Sequence, residues 1–116
     1  MKTINRTAIT IRPKQPFVDW ANSFEEGETY DPDNRHATTI LISEEYDEFN
    51  YEIYLEKIYK ILFEGELESW MANPDDWPKI KNYKMFKNWF EIICSDMTWD
   101  YGVGDIEHEE FSRFDF

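Results

Sequence analysis

The chain has 116 residues and a formal net charge of −13, with 25 Asp or Glu against 12 Lys or Arg. Nine Phe, seven Tyr and five Trp make it rich in rings, while two His and one Cys supply few reagents. This length fits one domain, a lone Cys94 excludes an internal disulfide, and the acidity argues against general binding to nucleic acid or to an anionic membrane.

The segment Met1–Thr7 lacks the apolar core of a secretory signal, and no run approaches the ~18 apolar residues of a membrane span. A cytoplasmic protein is therefore expected. Residues 6–12 are short, alternating and β-branched, which predicts a strand ended by Pro13. Pro16 then sits where a helix can start, with Phe17, Val18, Trp20, Ala21 and Phe24 as its apolar face. Residues 25–36, with Gly27 and Asp31-Pro32-Asp33-Asn34, read as a loop. Residues 37–43 predict a second strand, whose Ile40-Leu41-Ile42 run suggests burial on both faces.

Residues 48–72 carry the strongest helical pattern. Tyr51, Tyr54, Leu55, Ile58, Ile61 and Leu62 fall within an arc of about 120°. Phe63, Leu67, Trp70 and Met71 project from the otherwise polar side, so the helix either kinks near Gly65 or packs its last turns on a different neighbour. Asn73-Pro74-Asp75-Asp76 stops it. Asn82 can cap a shorter helix over 83–90, with Met85, Phe86, Trp89 and Phe90 on one face. Residues 91–100 read as a third strand, and Gly102 and Gly104 mark a turn. The expected fold is α+β: one domain over residues 1–101, with a small, mostly antiparallel sheet of about three strands covered on one face by one long and one shorter helix. Residues 102–116 form an acidic, Phe-containing tail.

Charge is unevenly laid out. Residues 1–21 sum to +3 and residues 79–90 to +4, while residues 44–72 sum to −7 and residues 105–116 to −4. Pairing within the fold explains such a layout; a complementary face on another molecule is the sharper reading. On that reading Lys79, Lys81, Lys84 and Lys87 are candidate contact residues. Trp77, between Asp76 and Pro78, is the candidate exposed tryptophan, and Phe114 and Phe116 either fold back or bury against another chain.

Residues with ligand or acid–base chemistry are sparse. Asp31, Asp33 and His36 lie close in sequence, but an EF-hand loop counted from Asp31 would need Gly and Glu where His36 and Ile42 stand. Glu107-His108-Glu109-Glu110 lacks the spacing of a helical zinc motif. Asp96 and Asp100 are four apart on one face of the third predicted strand, a pairing that does acid–base work only if burial separates their pKa values. Cys94 has no adjacent base and reads as a small buried hydrophobe. No glycine-rich phosphate loop and no nucleophile elbow is present.

Arg6-Thr7-Ala8-Ile9-Thr10-Ile11-Arg12-Pro13-Lys14-Gln15-Pro16-Phe17-Val18-Asp19-Trp20, then Glu66-Leu67-Glu68-Ser69-Trp70, Trp77-Pro78 and Lys84-Met85-Phe86-Lys87-Asn88-Trp89-Phe90, resemble a family of small bacterial proteins of similar length to which no activity is assigned. The similarity covers most of residues 6–100 and implies a stand-alone bacterial cytoplasmic domain. Members of that family favour His-Ser-Met where this chain has Ser95-Asp96-Met97, so no role built on that histidine carries over.

The missing reagents, the surplus of rings and the two-signed charge together lead to an expectation of a non-catalytic protein-interaction domain, self-associating as a homodimer, with no cofactor. The alternative is a divalent-metal-dependent hydrolase or binding protein using a carboxylate-rich pocket of Asp96 and Asp100 closed over by Asp31, Asp33 and His36. A second alternative is an acidic decoy for a basic partner.

Overall fold

The computed structural model describes residues 1–25 and 27–110. Its elements run β1 (Lys2–Thr3), β2 (Arg6–Pro13), α1 (Gln15–Ala21), β3 (Thr38–Ser43), α2 (Tyr51–Trp70), a 3-10 turn (Pro74–Asp76), α3 (Tyr83–Trp89), β4 (Phe90–Ser95) and β5 (Trp99–Asp100). β2 is central in an antiparallel sheet of order β3-β2-β4, and β1 pairs with β5 in a separate ribbon. The architecture is α+β in one domain, as the alternation of residues 6–12 and the period of residues 51–62 predict.

Alternation along β2 sorts the two sheet faces. Ile9 and Ile11 point inward, opposite Ile40 and Thr38 of β3 and opposite Cys94 and Ile92 of β4. They meet Leu55 and Ile58 of α2 in the core. Pro13 ends the strand as expected, as the last residue of β2 and opposite Phe90. The outer face carries Ala8, Thr10 and Arg12, flanked by Leu41 on one side and by Ile93 and Glu91 on the other. Leu41 is 49 % and Ile93 41 % exposed. The expected burial of the Ile40-Leu41-Ile42 run on both faces is therefore corrected. Inward Ile42 is buried under helix and Ile40 half-buried beside it, and outward Leu41 is exposed.

The last turns of α2 take the second of the two expected courses. The helix runs unbroken through Gly65 to Trp70, and Phe63 and Leu67 are fully buried. Phe63 packs on Phe86, Trp89 and Phe90, with ring centroids 6.0, 5.4 and 5.2 Å away. Trp70 turns to α1 and donates its indole N–H to the Ala21 carbonyl at 2.9 Å. α3 starts where its cap predicts: Asn82 Oδ1 accepts from the Met85 N–H at 2.9 Å.

The third predicted strand is two. β4 stops at Ser95, and residues 96–98 bend away before β5. The partner strand bends with it, because Ile4 and Asn5 separate β1 from β2 just where residues 96–98 separate β4 from β5. Ile4 N–H donates to the Thr98 carbonyl at 2.9 Å across this joint.

Candidate functional site

Two features adjoin along the seam between β3 and α2, and Thr38 borders both. The first is a cleft of about 550 Å³ between the loop after α1 and the last turns of α2. The loop is anchored by Asn22. Its side-chain oxygen accepts from Tyr30 N–H at 2.7 Å, and its amide donates to the Tyr30 carbonyl at 3.1 Å. The buried Tyr30 ring packs edge-on against Phe17 and Trp70, at 5.7 and 5.2 Å. Its hydroxyl hydrogen-bonds the His36 backbone.

Glu66 projects from α2 into this cleft. Burial pushes its carboxyl above the ordinary range, and a hydrogen bond from Thr38 and the nearby His36 imidazole pull it partly back. Glu28 and Asp31 line the same cleft, and no Lys or Arg lines it among the described residues. The arrangement can hold a proton on Glu66, or accept a group that carries positive charge.

The second feature is the free edge of β3 and the trough beside it. Thr38-Thr39-Ile40-Leu41-Ile42-Ser43 contains no charge, no Pro and no Gly, and among the described residues it pairs on one side only. Ile40 and Ile42 of β3, with Tyr54, Ile58, Ile61 and Leu62 of α2, wall an apolar trough of about 280 Å³ along that edge. Proteins blunt sheet edges with charge, proline or cover, because unpaired N–H and C=O groups template another strand. β4, the other edge, carries Glu91, whose carboxylate sits 3.9 Å from the Arg12 guanidinium.

The sequence-predicted residues divide. Trp77 is half-buried rather than exposed: it packs against the core and donates its indole N–H to the Met71 carbonyl at 2.7 Å. The 3-10 turn folds the chain back over the end of α2, and that covers the ring. Lys79, Lys81 and Lys84 are exposed. Lys87 is exposed too, but its ammonium is engaged within the chain, 3.4 Å from Glu52 and over the Tyr83 ring. Phe114 and Phe116 lie outside the described residues. Asp31 and His36 both line the Glu66 cleft, and Asp33 does not; the Asp33 N–H is held by Asp31 Oδ1 in a local turn. Asp100 borders a separate depression beside β1, and Asp96 follows β4. The five carboxylate and imidazole groups of the metal reading thus do not line one cleft. Among the described residues no three His, Cys, Asp or Glu gather closely enough to hold an ion.

Sequence reasoning missed Glu66, to which it assigned no role. Its neighbour Gly65, which lines the same cleft, stood out only as a place where the helix could kink. No protein-family profile, curated protein or solved structure matches the chain.

Proposed function

We propose that this chain is a non-catalytic protein-interaction domain that receives an extended protein segment on the free edge of β3. The observation that carries the reading is the uncharged six-residue edge with an apolar trough running beside it. Strand addition uses both parts. Main-chain hydrogen bonds to the edge supply affinity, and pockets for alternate side chains supply selectivity. The trough offers such a surface to every second side chain of the incoming strand.

Selection from a library of random extended peptides tests the reading. Binders with apolar residues at alternate positions should emerge, and they should protect the amides of Thr38–Ser43 from hydrogen exchange. A selection that yields no binder, or binders that leave those amides unprotected, would reject it.

The Glu66 cleft favours a second reading, a binding protein for a small ligand bearing an amine or guanidine. Three carboxylates and the Phe17, Tyr30 and Trp70 rings face one concave space, and cations are attracted to both kinds of group. A thermal shift with simple amines that disappears in Glu66→Gln supports this reading; no shift with any amine removes it.

A further inference from the structure

We infer that the strand received by β3 is β3 of a second copy, antiparallel and in the register that sets Ile40 opposite Ile40. The inference rests on the edge-binding reading above and names the partner. Its basis is the charge at the two ends of the strand. Arg35 and His36 precede β3, and Glu44 and Glu45 follow it; all four are exposed. A parallel arrangement would lay acid beside acid. An antiparallel arrangement about Ile40 brings Arg35 and His36, which precede one strand, to the turn at Glu44 and Glu45 that follows the other, twice in the pair.

Face matching selects the same class of registers. Residues directly opposite in an antiparallel pair share a face, so the two-fold axis must pass through a residue and not between residues. Centred on Ile40, inward Thr38 meets inward Ile42, and outward Thr39 meets outward Leu41. Centring on Leu41 instead sets Thr38 against Glu44 and Arg35 against Asp47, whose Oδ1 already accepts from the Phe49 and Asn50 N–H groups. The axis then stands perpendicular to the sheet, so both α2 helices lie on one side. The two troughs join over a continuous six-stranded sheet of order β4-β2-β3-β3-β2-β4. Arg35 spends one N–H on the Pro13 carbonyl at 3.1 Å, and its planar group has four more to offer.

The test is a pair of opposite charge swaps in the full chain. Arg35→Glu alone sets Glu against Glu twice, and Glu45→Arg alone sets Arg against Arg twice. Each should weaken self-association measured by sedimentation, on the order of tenfold. Mixing the two variants restores both pairs in the heterodimer, so native mass spectrometry should find mixed dimers in excess over either homodimer. Because Arg35→Glu also removes the Pro13 contact, cysteine crosslinking gives an independent readout. In a Cys94→Ser background, mixed Thr39→Cys and Leu41→Cys chains should oxidise to the 39–41 product. The 39–39 and 41–41 products should be scarce, since those Cα atoms would lie beyond the ~7 Å that a disulfide spans. A chain that stays monomeric at tens of micromolar overturns the second-copy partner, and peptide selection then decides the edge reading separately. A dimer indifferent to Leu41→Lys and to both swaps, without the 39–41 product, overturns partner and edge together.

Discussion

Phe63 is where the rings do most for stability. It is fully buried and touches Phe86, Trp89 and Phe90, so it joins α2 to α3 and to β4. Phe63→Ala removes the ring and leaves a cavity, and urea denaturation should show a loss of about 3–5 kcal/mol. Glu66 behaves in the opposite sense. Its folded pKa is raised, so the folded state holds the proton more tightly than the unfolded chain does. Its contribution is present below the ordinary value of 4.5 and is lost as pH rises through the elevated folded value. Glu66→Gln should therefore raise the melting temperature at neutral pH. The gain over the native chain should shrink as pH falls below the ordinary carboxylate range. A melting series of both proteins from acid to neutral pH checks the sign. Phe63 and Glu66 also differ in legibility. Phe63 stood out as a ring off the main apolar arc, which left two courses for the helix. Glu66 did not stand out, because its burial is made by a loop more than thirty residues away in sequence.

At the scale of elements, what could be read was what local chemistry decides. Alternation fixed β2, a 3.6-residue period fixed α2, and a single side chain fixed the start of α3. That cap is testable by itself: Asn82→Ala should cost about 1 kcal/mol by denaturation, and Asn82→Ser should recover most of it. What could not be read depends on the neighbour across the gap. Ile40, Leu41 and Ile42 are alike in hydropathy, and only the one-sided placement of helices makes Leu41 an outward residue. The break between β4 and β5 is likewise set by the partner, since the β1–β2 bend at Ile4 and Asn5 must be matched by its opposite strand. Trp77 illustrates the same point. An aspartate before it and a proline after it suggest solvent, yet its indole closes the end of α2. Leu41→Lys puts a charge on an exposed position and should change stability by less than about 0.5 kcal/mol. The same variant should abolish strand addition, so comparing its melting temperature with its self-association separates folding from binding.

For the molecule as a whole, the net charge opposes the proposed β3 pairing that the strand ends favour, so ionic strength should decide between them. Two bodies of charge −13, with a shortest dimension of 29 Å, repel when their centres stand ~30 Å apart. Without salt the repulsion is roughly 20 kcal/mol in water. With a Debye length near 30 Å, at about 0.01 M salt, roughly 9 kcal/mol survives; with 8 Å, at about 0.15 M, about 0.5 kcal/mol remains. The Arg35–Glu45 pairs act over only ~4 Å, and each contributes on the order of 0.2–1 kcal/mol across a strand pair. Their range is shorter than the Debye length in both conditions, so salt erodes them far less than it erodes the long-range repulsion. Self-association should therefore tighten as salt rises from about 0.01 to 0.15 M, contrary to the weakening expected of an interface held mainly by ion pairs. Sedimentation equilibrium at a fixed protein concentration across that range reads the sign directly. The Glu45→Arg variant supplies the contrast. It lowers the net repulsion while opposing Arg to Arg across the edge, so it should associate less at physiological salt although it is less acidic. A variant that associated more than the native chain there would mean that overall charge, rather than the pairing at the ends of β3, governs assembly.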